Sequence, residues 1–154
     1  MTRRGVVLLV DDDPAIAEMY RTGLEAHGFQ VRILPDAADL SEAVSELHPD
    51  VLVLDWDLPG VKGDEALERL RGTDDGRSLP VFMLSNFPGT RNGVIDRVFR
   101  AGAMAWLEKV NTRPNELAAK LARALGMEAM PSSLDAERSD PPLPGGAISP
   151  EPAT

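Results

Sequence analysis

The chain holds 154 residues, 43% of them hydrophobic, with a formal net charge of -9 and no cysteine. That length suits one globular domain, since domains commonly hold roughly 100–200 residues. The acidic balance disfavours a nucleic-acid partner, because phosphate backbones are held by clustered Lys and Arg, whereas Arg3–Arg4, Arg97–Arg100 and Lys120–Arg123 are scattered here. Lack of cysteine excludes disulfides and thiolate chemistry and is consistent with a reducing compartment.

The first apolar run, Val6–Val10, is too short for a signal peptide and ends in three aspartates, Asp11 to Asp13. No stretch reaches the ~20 apolar residues of a membrane span. The expectation is a soluble, cytoplasmic protein with no membrane contact. Val6–Val10 reads as a first strand, apolar throughout as when helices cover both faces. Asp13 can cap the following helix, Pro14 fits its first turn, and Ile16, Met19, Tyr20 and Leu24 recur at helical spacing before Gly28.

A second strand, Gln30–Leu34, leads to a helix over about Pro35–Leu47, with Leu40, Ala43, Val44 and Leu47 on one face. The third strand, Val51–Leu54, stops at Asp55, and a turn-rich segment precedes a helix from about Asp64 to Arg71. Strand four, Val81–Leu84, stops at Ser85; helix four covers about Arg91–Ala101 and strand five Met104–Leu107. Pro114 opens the last helix, which Gly126 ends. The strict alternation predicts an α/β, doubly wound, five-stranded parallel sheet with flanking helices, a (βα)5 flavodoxin-like fold.

From about Met127 to Thr154 the composition shifts: six of the 13 prolines fall here, with few large apolar residues. Such a stretch cannot bury enough surface to offset its ordering entropy. Residues 127–154 are therefore expected to form a disordered tail after a single domain over 4–126. His27 and His48, each beside a turn residue, read as ordinary surface residues.

In doubly wound sheets ligands bind outside the carboxyl ends of the strands. Asp11, Asp12, Asp55, Ser85 and Lys109 all fall there. Three carboxylates in one cleft repel each other, and a hard divalent cation with oxygen ligands, such as Mg²⁺, relieves that. The plainer alternative makes Asp11-Asp12-Asp13-Pro14 a helix cap with spare acids. With its charge neutralised, Asp55 can attack a phosphoryl group and form an acyl phosphate. Phosphoryl transfer needs positioned charge stabilisation, which a hydroxyl at Ser85 and an ammonium at Lys109 supply together.

Four segments carry a resemblance: Val7-Leu-Leu-Val-Asp-Asp-Asp-Pro14, Leu54-Asp-Trp-Asp-Leu-Pro-Gly60, Met83-Leu-Ser85 and Gly102-Ala-Met-Ala-Trp-Leu-Glu-Lys109. In order and spacing they resemble the response-regulator receiver family of the chemotaxis-regulator type. The resemblance implies that Asp11 and Asp12 form the acidic pair, with Asp12 a direct Mg²⁺ ligand. It implies Asp55 as phosphoacceptor and second ligand, with Asp57 offering its backbone carbonyl. It further implies Ser85 as the switch hydroxyl, Lys109 as the site lysine and Trp106 as the aromatic that reports activation; Trp106 reads equally as a half-buried strand residue.

Two departures bear on the switch. Asn86 follows Ser85 where the family has a small residue, and Val110 follows Lys109 where it has proline. A cis bond before a non-proline residue costs about 3 kcal/mol, so a trans Lys109–Val110 peptide is expected.

The leading function is thus a stand-alone receiver without an output domain, a signalling phosphoacceptor and not a turnover enzyme. Its donor would be a histidine kinase or histidine phosphotransfer protein, and its target would dock on the helix 4–strand 5–helix 5 face. One alternative is a degenerate receiver that binds partners without phosphorylation. Another is a haloacid-dehalogenase-type phosphatase, for which Asp55-Trp-Asp57 imitates the acidic motif but sits on the third strand instead of the first.

Overall fold

The structure, a computed structural model, describes residues 5–86 and 93–127. Strands β1 (Gly5–Val10), β2 (Phe29–Leu34), β3 (Val51–Leu54), β4 (Val81–Ser85) and β5 (Ala105–Glu108) form one parallel sheet in the order β2-β1-β3-β4-β5. Helices α1 (Pro14–Ala26), α2 (Leu40–Leu47), α3 (Gly63–Arg71), α4 (Val94–Arg100) and α5 (Pro114–Ala124) alternate with them. The fold is the doubly wound, five-stranded arrangement that the alternation predicts.

Successive strand residues point to opposite faces, so each strand feeds two cores. Val7, Leu9, Val53 and Leu84 meet Tyr20 and Leu24 of α1 and Leu117 and Leu121 of α5. Leu8, Val10, Leu54 and Met83 meet Val44, Leu67 and Val98 of α2, α3 and α4. With both faces covered, β1 and β3 tolerate no polar side chain until their carboxyl ends. The chain reverses its winding between β1 and β3, which makes their ends the switch point where such folds place ligands.

Several boundaries and environments differ from the sequence reading. Helix α2 starts at Leu40, not Pro35, because Asp36 Oδ1 accepts the Ala38 amide at 2.9 Å and holds the segment in a turn. Strand β5 runs one residue later than predicted, and a short 3-10 turn, Lys109–Asn111, follows it. Met19 is 45% exposed, since the buried face of α1 is Ala17, Tyr20 and Leu24. His27 is a correction as well: it is buried, capping α1 between Leu24 and Phe29, which both enter the core. His48 is exposed and closes α2 with a left-handed backbone, φ 50°. The Lys109–Val110 peptide is trans, as are the other described peptides. The predicted start of helix four at Arg91 and the segment from residue 128 onward lie outside the described residues.

Candidate functional site

The register of the sheet brings the acids together. Val10 pairs with Leu54, and the Asp55 amide donates to the Val10 carbonyl at 3.1 Å, so Asp11 and Asp55 emerge side by side. Asp13 caps α1, its Oδ1 accepting from the Ala15 and Ile16 amides, with Pro14 in the first turn. The Asp13 amide in turn donates to Asp11 Oδ1 at 2.9 Å. The turn thus fixes one oxygen of Asp11 and leaves the other to face the cleft.

Asp55 is held equally closely. The Asp57 amide donates to Asp55 Oδ1 at 3.2 Å, and the Gly63 amide donates to the Trp56 carbonyl at 2.8 Å. A Cβ on Gly63 would collide with the Asp55 carbonyl oxygen, so α3 starts directly against the backbone of this loop. Ser85 and Glu108 are register partners, which sets Lys109 just beyond the end of β5. From there its Nζ lies 2.7 Å from Asp11 Oδ2 and 3.0 Å from Asp55 Oδ2, with only 8% of the side chain exposed.

Burial pushes the Asp55 carboxyl above the ordinary aspartate range, against the opposing pull of Lys109. For Lys109, burial lowers the pKa, but its bond to Asp11 and the charge of Asp55 outweigh it and leave the ammonium raised. One ammonium therefore bridges two carboxylates. Asp12 adds a third, exposed carboxylate, and one oxygen each from Asp11, Asp12 and Asp55 lies within 4.8 Å of the others. An all-oxygen donor set with more negative charge than Lys109 can balance fits a hard divalent cation such as Mg²⁺.

The remaining sequence-predicted residues lie around this cleft in different ways. Ser85 is fully buried as the last residue of β4. Trp106 is half-buried on β5 and packs against the core beneath α4. The Asp57 side chain turns outward to Lys62 Nζ at 2.6 Å, leaving only its backbone available to the cleft. Asn86 is exposed, and the rest of its loop, 87–92, lies outside the described residues.

Two residues that the sequence reading placed only as helix positions, Tyr20 and Asp64, make bonds it did not assign. Tyr20 is a core residue whose hydroxyl donates to the Thr112 carbonyl at 2.6 Å. Asp64, in the first turn of α3, accepts the Trp56 indole N–H at 2.9 Å and meets Arg97 of α4 at 2.8 Å. A tyrosine among apolar helix positions is the one available signal for the first, because a buried hydroxyl needs a partner.

Comparison with known proteins agrees with this fold. The sequence matches the response regulator receiver domain family over residues 7–122. The DNA-binding response regulator MtrA of Mycolicibacterium smegmatis is 36% identical over 124 residues, covering 80% of this chain and 52% of MtrA. The chain spans about half the length of the curated relatives it matches. Among solved structures, the receiver domain of Francisella response regulator 1452 superposes with a TM-score of 0.69 at 27% identity, covering 79% of this chain and 97% of that one. The BeF3-activated N-terminal receiver domain of Klebsiella pneumoniae RstA gives 0.67 at 28% identity, covering 78% and 97%.

The chain belongs to the response regulator receiver family of two-component phosphorelay signalling. Among the described residues no helix is long and apolar enough to cross a membrane. Family membership leaves the phosphatase alternative without support.

Proposed function

We propose that the chain is a phosphorylatable switch in which Asp55 accepts a phosphoryl group from a histidine kinase or histidine phosphotransfer protein. The observation that carries this reading is the Lys109 ammonium between Asp11 and Asp55, at the rim of an acidic cluster. Asp12 and Asp55, with the Asp57 backbone carbonyl, would hold Mg²⁺, and Asp11 would orient the set. The bound ion would withdraw charge from the phosphoryl oxygens and from Asp55.

An Asp55 carboxylate oxygen attacks phosphorus as the bond to the donor histidine nitrogen breaks and that nitrogen keeps the electron pair. Lys109 then pairs with a phosphoryl oxygen in place of the carboxylate, and the Ser85 hydroxyl donates to another. Trp106, on the neighbouring strand, follows Ser85 toward the α4–β5–α5 face, where Phe99 is already exposed. Asp57 and Asn86 flank the entrance through which donor and water arrive.

Output through protein contacts of the receiver itself fits the proline-rich composition of residues 127–154, which offers few large apolar residues for a packed module. A net charge of -9 supports protein over nucleic acid as the direct partner, and a cytoplasmic setting matches the absence of cysteine. The DNA-binding activity in the name of MtrA belongs to a protein of which the match covers 52%.

The test is incubation with acetyl phosphate and Mg²⁺, followed by intact-mass measurement. One phosphoryl adduct should form on the unaltered chain and none on Asp55→Asn. Equal labelling of both would move the acceptor elsewhere, and no labelling of either would favour the non-phosphorylated binding module.

A further inference from the structure

Lys109 reaches the cleft from a short 3-10 turn, within which the Asn111 side-chain amide donates to the Glu108 carboxylate at 2.8 Å. Val110, the next residue, is 80% exposed, and the turn closes through a long bond, 3.3 Å, from the Thr112 amide to the Lys109 carbonyl. What grips the turn is α1. The Tyr20 side chain is fully buried; its hydroxyl donates to the Thr112 carbonyl at 2.6 Å and lies 3.4 Å from the Lys109 carbonyl. Three residues on, along the same face of α1, Gly23 abuts Pro114 so closely that a Cβ there would overlap the proline ring. Tyr20 and Gly23 together clamp the segment from Lys109 to Pro114.

The other end of that helix carries the acids. Asp13 caps α1, and Asp11 is bonded to the same turn. One helix therefore sets both Asp11 and the backbone from which its cationic partner extends. Phenylalanine would fill the same space, so the hydroxyl serves only its carbonyl partners, without which its burial would be unfavourable.

We infer that Tyr20 is a positioning residue: its buried hydroxyl fixes the Lys109–Thr112 backbone so that the lysine Nζ meets Asp11 and Asp55. A fixed backbone lets the long side chain transfer its bond from carboxylate to phosphoryl oxygen without losing its aim. This deepens the proposed function and rests on it for its kinetic consequence, while the shielding of Lys109 is independent of that reading.

The test uses the full chain with Tyr20→Phe and two readouts. Limited acylation with an amine-reactive ester, mapped by peptide mass spectrometry, compares Lys109 with Lys62 and Lys120 in the same molecule. Lys109 should react about five- to tenfold faster in the variant, the worth of one buried hydrogen bond, while the two reference lysines stay unchanged. Acetyl-phosphate labelling should slow by a similar factor, and in a Lys109→Met background Tyr20→Phe should slow it no further. Unchanged acylation of Lys109, or equal slowing in both backgrounds, would overturn the inference. If the unaltered chain takes no phosphoryl group, the proposed function falls and acylation alone decides the positioning role. Should Tyr20→Phe fail to fold, Gly23→Ala, pressing the same face against Pro114, must unshield Lys109 in its place, and continued shielding would count against the clamp.

Discussion

Burial holds the Tyr20 hydroxyl above its ordinary pKa; Lys109 pulls it back, while Asp11 and Glu116 push with the burial. The folded chain therefore keeps this proton more tightly than the unfolded chain does. The resulting stability is complete below the unfolded tyrosine value of about 10 and is lost as pH rises through the higher folded value. Tyr20→Phe has no such group, so its melting temperature should fall less steeply than that of the unaltered chain above about pH 10. Circular-dichroism melts across the alkaline range check this, and parallel slopes would count against it. Tyr20 also marks what single residues disclose. Asp11 and Asp55 were legible because each follows a short apolar strand, and in a two-faced sheet the first polar residue falls at the strand end, whereas Lys109 comes one residue after Glu108, the polar end of β5. The Tyr20–Thr112 bond joins residues 92 apart, and nothing local marks Thr112 as the partner.

At the scale of elements, α3 is placed by contact with the loop that bears Asp55. Gly63 lacks a side chain because the Asp55 carbonyl and the Trp56 Cα occupy the space. Gly63→Ala should therefore destabilise the fold by about 1–3 kcal/mol through overpacking, measured by urea unfolding. Gly60 gives the contrast: its φ of 78° disfavours a side chain, yet open space surrounds it, so Gly60→Ala should cost only about 1 kcal/mol. Similar losses at both positions would mean that α3 can shift freely. The same helix links the site to α4 through Asp64, whose side chain is 6% exposed between the Trp56 indole and Arg97. Asp64→Ala should cost about 1–3 kcal/mol and shift Trp56 emission; an unchanged spectrum would mean the indole does not sense this carboxylate. Helix existence was readable from period, but helix starts were readable where a cap or a first-turn proline marked them, as at Pro14 and Pro114. Asp13 with Pro14 announced α1, whereas Asp36 spent its carboxylate on a turn and delayed α2 by five residues from the expected start at Pro35.

Across the whole molecule the apolar strands specify two cores on one sheet, and this is why the fold class was legible without any knowledge of long-range contacts. Charge is the other global property. The chain carries a formal net charge of -9, and three carboxylates at the switch point face one lysine. Monovalent salt screens all surface repulsion alike, whereas a divalent cation that enters the cleft stabilises only the folded chain, where the carboxylates converge. At matched ionic strength, Mg²⁺ at about 100 times its dissociation constant should add roughly 2.7 kcal/mol. The melting temperature should therefore rise by several degrees over a sodium control. Asp12→Asn removes one charged ligand from the exposed side of the cleft while leaving the Lys109 bridge intact, so this variant should lose most of the Mg²⁺ increment. Its stability in sodium alone should hardly change or should improve, since one repelling carboxylate is gone. An equal Mg²⁺ increment in Asp12→Asn would show that the ion acts by general screening, and would remove Asp12 from the set proposed to hold it.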